Sequence, residues 1–521
     1  MTSTIREILV EAQQRFGPEV AVRYKVGKNQ IEDKTYNQLR QDSESFSSAL
    51  AALGEQGSHI AVIGPTSYRW MVTYLGIVNS GSVAVPLDAS LPAADVWELL
   101  DRADVTTLVA DAARKDVAEG AKEHCPKLKH VVLMQQEEHS DAALSLPQLL
   151  AEHQTAFDFE PQPDQLCTIM FTSGTTGKSK GVMLTHRNQA ENAGSINMDL
   201  PERMVLLSVL PIHHAYCLCL DVLKAISLGS IICINDSLLR VMKNIQLFKP
   251  EMILMIETIA KKLEDNTLLP PKLVKNAVFG KQLTKISSGG AYLDPSYIDL
   301  FEKYGITILQ GYGMTECSPV ISTTRPWNIN KNAVGQLIDN CEAKTVDGEL
   351  WVRGSSVMQG YYNMPKDTAE AIDEEGWLHS GDLGIMDEDG YVSIGGRIKD
   401  MIIRGGENVY PREVEEFLLK MDGVADVQVV AVPSRRYGEE VGAFLIPKEG
   451  ADVAPEDVRD YCRGKIAWYK IPRYVAVVEG FPLTASGKIQ KYKLREMAAA
   501  YFPEAMRERN GLPSRGRRGT A

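Results

Sequence analysis

No run of about 18 consecutive apolar residues, the length a membrane-spanning helix needs, occurs anywhere in this chain. The first residues, Met1-Thr-Ser-Thr-Ile-Arg-Glu-Ile-Leu-Val-Glu-Ala, carry charges every few positions and lack the apolar core of a leader. The expectation is a protein that is neither spanning nor secreted, cytoplasmic, with peripheral contact to a membrane left open. Cysteine is sparse and unframed. Eight in 521 residues, without repeated spacing, exclude a disulfide scaffold and suit a reducing compartment. His213-His-Ala-Tyr-Cys217-Leu-Cys219 gathers His and Cys, but no second cluster at ligand spacing accompanies it, which sets a zinc site aside. An excess of positive charge is missing too. Lys and Arg number 56 against 68 Asp and Glu, a formal net charge of −12, which argues against a nucleic-acid binder. It leaves room for a phosphorylated small molecule in a locally basic cleft. No internal repeat is visible.

The 44% apolar and 24% charged residues that are present suit a soluble globular enzyme, and 521 residues exceed what one core supports, so two or more domains are expected. The densest chemistry is Thr172-Ser-Gly-Thr-Thr-Gly-Lys-Ser-Lys-Gly181, directly after the apolar run Cys167-Thr-Ile-Met-Phe171. Glycines, hydroxyl side chains and the two lysines Lys178 and Lys180, following a predicted strand, make a loop suited to phosphate oxygens. It is not a Walker A loop. That motif needs four residues between its first Gly and Gly-Lys-Ser, and counting back from Gly177 puts Thr172 where the glycine belongs.

Periodicity predicts a helix from Thr35 with Leu39, Phe46, Leu50 and Leu53 on one face and Gly54 at its end. Strands are expected at 59–64, at 82–85 (stopped by Pro86) and at 106–110, with a helix over 70–78, an alternation that implies parallel sheet. Residues 134–142 read as a solvated loop. The segment 229–234 continues the pattern, whereas 348–354 and 390–394 read as antiparallel strands of a smaller sheet. After 395–400 comes a separate set of elements: helices over 412–421 and 455–466, strands over 426–432, 442–446 and 474–478. The predicted fold class is α/β. A large multi-layered N-terminal domain of mostly parallel sheets flanked by helices spans 1–396, a small α+β domain spans 401–502, and 503–521, basic and Gly-rich, is expected to be a disordered tail.

Taken together, five stretches resemble the adenylate-forming superfamily of acyl-CoA synthetases, adenylation domains of peptide synthetases and firefly luciferase, over residues 30–500. They are Thr172 to Gly181 continuing into Val182-Met-Leu-Thr-His186, Gly311-Tyr-Gly-Met-Thr-Glu316, Gly376-Trp-Leu-His-Ser-Gly-Asp382, Gly396-Arg-Ile-Lys-Asp400 running on to Gly405-Gly-Glu-Asn-Val-Tyr-Pro411, and Pro482-Leu-Thr-Ala-Ser-Gly-Lys488. Their order makes the signal specific. The resemblance implies activation of a carboxylate by ATP, with Mg²⁺, to an acyl-adenylate and pyrophosphate, followed by transfer to the thiol of coenzyme A.

It also implies roles. Thr172, Ser173, Gly174, Thr175, Thr176, Lys178 and Lys180 would hold the phosphates, and Glu316, beside the hydroxyl of Thr315, the magnesium, for which a hard oxygen donor is apt. Asp382 would accept the ribose hydroxyls with Arg397 as partner, while Gly289, Gly290, Ala291, Gln310, Gly311, Tyr312 and Gly313 would wall the adenine. Lys488 would bridge carboxylate and α-phosphate, a task for a long flexible cation. Lys399, in the segment 397–400, would be the hinge of a mobile small domain whose face at Gly405, Gly406, Glu407 and Asn408 meets the thiol acceptor.

Leu210-Pro-Ile-His-His-Ala-Tyr216 resembles the family's acyl-pocket wall, with His214 at the usual His. His213 stands where Phe is common, and Tyr292 where Pro is frequent. Amino-acid-activating relatives place an Asp here to pair with the substrate ammonium, and counting back from Gly229 by the family spacing lands on Tyr216, which disfavours an α-amino acid. With Leu218, Leu220, Met314 and Val320 nearby, a medium- or long-chain fatty acid is the first expectation and an aryl acid the second. The acceptor is expected to be coenzyme A, because no carrier domain follows residue 502; a free-standing carrier protein is the alternative. A non-catalytic adenylate-binding protein and a luciferase-like oxygenase are the remaining readings, the former opposed by Lys178, Glu316, Arg397 and Lys488 occurring together.

Overall fold

The computed structural model describes residues 2–27, 30–172, 179–254, 275–276, 278–290, 293–483, 489–503 and 505. The chain divides into two compact units, one of Met1–Lys344, Trp351–His379 and Met386–Val392, the other of Thr345–Leu350, Ser380–Ile385 and Ser393–Ala521. The fold class is α/β, as expected: mainly parallel sheets with helices in the larger unit and antiparallel strands with helices in the smaller. Among the described residues no helix is long and apolar enough to cross a membrane, and all eight cysteines are buried and free.

One sheet of the larger unit is built on four parallel strands, His59–Ile63, Val83–Leu87, Val105–Ala110 and His130–Leu133. Parallel pairing requires crossovers, and the helices Tyr68–Asn79, Ala93–Arg102 and Lys115–His124 supply them. The strands are apolar almost throughout because both faces are covered. Val83–Leu87 continues through Pro86 instead of stopping before it. Its register with Leu166–Thr172 is held at Ala84↔Thr168 alone, so the N–H that proline lacks is not called on along that edge. From edge to edge the eight strands run Gly360–Tyr361, Lys180–Thr185, Leu166–Thr172, Val83–Leu87, His59–Ile63, Val105–Ala110, His130–Leu133 and Leu144–Ser145.

A nine-stranded sheet in the same unit runs Gln336–Leu337, Val320–Thr323, Thr307–Gly313, Lys285–Gly289, Met252–Ile253, Val205–Ser208, Ile231–Ile234, Val20–Val26 and Gln30–Thr35. Its middle is parallel and its two edges antiparallel. The helix Tyr36–Ala52 begins with a capping box between Thr35 and Gln38 and buries Leu39, Phe46 and Leu50; Leu53 falls at its C-cap, partly exposed, rather than in the core. Cys341–Val346, Glu349–Gly354, Leu378–Met386 and Val392–Arg397 form a four-stranded sheet.

In the smaller unit a sheet is ordered Glu407–Val409, Ile402–Arg404, Gly438–Pro447 and Val424–Ser434, with Tyr474–Val477 pairing parallel to Gly438–Pro447. The first two strands and the helix Lys491–Tyr501 carry too short or too weak an apolar pattern to be read from sequence. Ala505, within the stretch expected to be a tail, is buried. Leu494, Ala498, Phe502 and Ala505, spaced by four, four and three, are all buried in one cluster against Val430 and Phe444.

Candidate functional site

The stretch singled out in the sequence lies between two paired strands. Leu166–Thr172 pairs antiparallel with Lys180–Thr185, and the register closes at Thr172↔Lys180. A returning strand, not a helix N-terminus, therefore follows the loop, which is the structural counterpart of its departure from a Walker A sequence. Ser173, Gly174, Thr175, Thr176 and Lys178 lie outside the described residues. Lys180 is held at the foot of the hairpin: its Nζ is 2.5 Å from Asp367 Oδ1 and 4.8 Å from the centre of the Tyr361 ring.

Tyr361 also reaches Glu316. Its hydroxyl donates to Glu316 Oε1 at 2.9 Å, and the Met358 N–H donates to the Glu316 carbonyl at 2.8 Å. Glu316 sits in the single turn Thr315–Cys317, directly after the strand Thr307–Gly313. Glu316 and Lys180, distant in sequence, thus meet one tyrosine, the first at its hydroxyl and the second over its ring. That turn is pinned from the helix His186–Ser195 by buried Asn192, whose Nδ2 lies 3.1 Å from the Cys317 carbonyl, 2.8 Å from that of Val320 and 2.8 Å from Ser356 Oγ. Among the described residues no three His, Cys, Asp or Glu side chains gather around one point. A lone carboxylate such as Glu316 fits Mg²⁺, which takes one or two carboxylates and completes its shell with phosphate oxygens and water.

Strands Lys285–Gly289 and Thr307–Gly313 run side by side with Ser288↔Gln310 and Gly289↔Gly311 in register. Packing within the fold itself calls for glycine here. A Cβ on Gly289 would stand 2.9 Å from Cζ of Tyr216 and 3.2 Å from the Gly311 carbonyl, so it is the Tyr216 ring that excludes a side chain. Gly313 is required by the Pro319 carbonyl, 1.8 Å from where its Cβ would be. Gly290 has φ +83°, a conformation that favours glycine. Gln310 is buried and donates to the Ala333 carbonyl at 3.4 Å. Tyr312 closes the same strand, while Ala291 and Tyr292 lie outside the described residues.

Tyr216 itself is buried, with its hydroxyl 2.7 Å from Ser287 Oγ. Leu218, Leu220 and Val320 are buried and Met314 is partly exposed. His214 caps the short helix Ala215–Cys217, its carbonyl accepting from the Leu218 N–H. His213 approaches Asp88, Nε2 to Oδ2 3.8 Å, and burial draws its pKa down. Beneath lies a fully buried carboxyl, Asp221, on the π-helical segment Leu218–Lys224; its pKa is pushed up to about 7 by burial, against hydrogen bonds from Ser208 and Cys217.

Below the ordinary carboxyl range near pH 4 both folded and unfolded chains hold the Asp221 proton; as pH rises to about 7 the unfolded chain releases it first, and stability falls. Asp221→Asn is expected to flatten this decline. Melting temperatures of both proteins between about pH 5 and about pH 8 check it. An unchanged slope in the variant would assign the pH dependence elsewhere.

In the smaller unit Asp382, on Leu378–Met386 with its side chain 4% exposed, is paired with Arg397, Nε to Oδ1 2.7 Å. The two residues expected at a ribose are therefore brought together. Lys399 follows in the turn Ile398–Asp400; burial first, and then neighbouring Arg397, lower its pKa. Arg495, on the helix Lys491–Tyr501, pairs with Asp400 and ties this turn down. Gly405 and Gly406, at φ +62° and +92°, make the two-residue tip of the hairpin Ile402–Arg404 to Glu407–Val409, with Arg404↔Glu407 and Ile403↔Asn408 in register. Lys488 lies outside the described residues. The sequence reading missed Tyr361, Asp367 and Ser287; only the return of Gly360–Tyr361 onto the hairpin strand, through Tyr361↔Val182, places the first two at the site.

The AMP-binding enzyme family matches residues 9–362, and the AMP-binding enzyme C-terminal domain matches residues 413–488. The chain is 33% identical to the "Putative acyl-CoA synthetase YngI" of Bacillus subtilis, over 90% of this chain and 92% of that one. It is 30% identical to the mitochondrial medium-chain acyl-CoA ligase ACSF2 of Mus musculus, over 95% and 88% of the two chains. Among solved structures, ATP-bound MatB from Rhodopseudomonas palustris superposes with a TM-score of 0.85 at 26% identity, covering 96% of this chain and 99% of that one.

Proposed function

The chain belongs to the AMP-binding enzyme family, within the adenylate-forming superfamily, and is an AMP-forming acid–CoA ligase using ATP, Mg²⁺ and coenzyme A; on that premise we propose that its acid is an apolar carboxylate, a medium- or long-chain fatty acid. The observation that carries this reading is Tyr216. At the position where an ammonium-bearing substrate would need a carboxylate, a buried phenol is spent on Ser287 and offers no countercharge. The buried Leu218, Leu220 and Val320 supply apolar surroundings. The name of the mouse relative, a medium-chain ligase, points the same way.

In this reading the loop of Thr172 to Lys178 holds the phosphates, while Lys180, paired with Asp367, fixes the base of the loop. Glu316, oriented by the Tyr361 hydroxyl, would hold Mg²⁺, beside Thr315. The ion, when bound, neutralises charge growing on the phosphate oxygens as pyrophosphate leaves. Asp382 accepts from the ribose hydroxyls in an orientation set by Arg397. His214 and Tyr216 line the acyl side, and Lys488 draws carboxylate and α-phosphate together. The division falls at 397–400: residues 1–396 carry the nucleotide and acyl pockets, and 401–502 turn about Lys399 to bring Gly405, Gly406, Glu407 and Asn408 to the thiol of coenzyme A.

ATP–pyrophosphate exchange across a panel of carboxylic acids tests the substrate. Exchange is expected to be strongest with fatty acids of medium or long chain and weak with α-amino acids. Exchange supported only by aryl or amino acids would overturn the assignment.

A further inference from the structure

Among the described residues the most exposed large apolar side chain is Leu239, 97% exposed, next to Leu238 at 58%. Both belong to the turn Leu238–Arg240, which leads into the helix Val241–Phe248. That helix buries Val241, Asn244, Ile245 and Phe248 and turns the opposite stripe outward, where Leu239, Lys243 and Leu247 follow one another at spacings of four. Lys249 ends it, exposed. The hairpin of Val20–Val26 and Gln30–Thr35 is joined to this segment by the 3.2 Å ion pair of Lys25 with Asp236, and Ile31, the cross-strand partner of Lys25 and so on the same face, adds an exposed apolar side chain.

Charge on this face is one-sided. Asp236 is compensated by Lys25 and Arg240, while among the described residues no carboxylate pairs with Lys243 or Lys249. A protein with net charge −12 thus shows free cations beside bare leucines here, the pattern of a surface-seeking helix. Its place in the sheet is also informative. Leu238 and Leu239 leave the C-terminal end of Ile231–Ile234, and the acyl-wall stretch 210–216 leaves the same end of its parallel neighbour Val205–Ser208.

We propose that the face formed by Leu238, Leu239, Lys243 and Leu247, flanked by Ile31, docks on an anionic lipid surface. The leucines enter the acyl boundary and the lysines meet lipid headgroups, with the helix lying in the plane of the interface. That an apolar acid could pass from the membrane to the neighbouring acyl wall rests on the substrate reading above; the docking itself does not.

Flotation of the full chain with vesicles, without ATP or acid, tests docking separately from that reading. Binding is expected to vesicles of phosphatidylcholine containing a third phosphatidylglycerol, to be weak on phosphatidylcholine alone, and to fall with salt. The pair Leu238→Ser with Leu239→Ser, and the pair Lys243→Glu with Lys249→Glu, are each expected to lower binding roughly tenfold or more, while the variants keep the wild-type melting temperature. Wild-type protein that stays unbound on the anionic vesicles overturns the proposal, as does undiminished binding by the leucine pair. So does a wild-type dimer in size-exclusion chromatography that the leucine pair dissolves, which would make this face a protein contact.

Discussion

Glu316→Gln is expected to slow acyl-adenylate formation by about two orders of magnitude and to leave the fold unchanged. Gln keeps the shape of the side chain and an oxygen that can still accept from Tyr361, as Oε1 does now at 2.9 Å, and the Glu316 carbonyl keeps its bond from Met358. What disappears is the negative charge and with it the anchor proposed for Mg²⁺, a loss of the size measured when one preorganised electrostatic element is removed, about 3 kcal/mol. Tyr361→Phe separates holding from chemistry. It frees the carboxylate to rotate but leaves its charge, so a smaller loss, roughly tenfold, is expected. Pyrophosphate exchange at saturating ATP, over a range of magnesium concentrations and alongside thermal melts, checks both. A Gln variant that melts normally and exchanges at the wild-type rate would reduce Glu316 to an ordinary loop carboxylate.

Much of the frame around this site could be read from the chain in order, because it is local. The alternation of apolar strands with helix-length segments between 59 and 110 states a parallel sheet, and the start at Thr35 states where a helix begins. Pairings between distant stretches could not be read. Lys180 meets Asp367, and Glu316 meets Tyr361, only because a two-residue strand folds back onto the hairpin. Gly289 shows a second limit. Its place in a motif implied a wall of the adenine site, and the side chain it lacks would also meet the ring of Tyr216, 73 positions earlier, a contact that no local pattern reports. A glycine records that something comes close and not what it is. Pro86 was misread as a strand end for a related reason: whether proline interrupts a strand depends on the neighbour's register.

The two half-reactions are expected to separate by mutation. Lys488 matters, in the proposed mechanism, only while an attacking carboxylate and the α-phosphate oxygens must be held together, a charge arrangement present in the first transition state and absent from the second. Lys488→Ala is therefore expected to abolish acyl-adenylate formation from acid and ATP, yet to convert supplied acyl-adenylate and coenzyme A to thioester at a near-normal rate. Lys399→Pro is expected to do the reverse. Lys399 sits, exposed, in a single 3₁₀ turn whose φ range proline shares. The turn can keep its present form, held by Arg495 on Asp400, while the rotation needed to bring the hairpin tip at Gly405 and Gly406 to the thiol is blocked. Single-turnover assays of each step are the measurement, because steady-state turnover does not say which step failed. If both variants melt normally and lose both steps equally, the chain performs its ATP chemistry without the swing about 397–400.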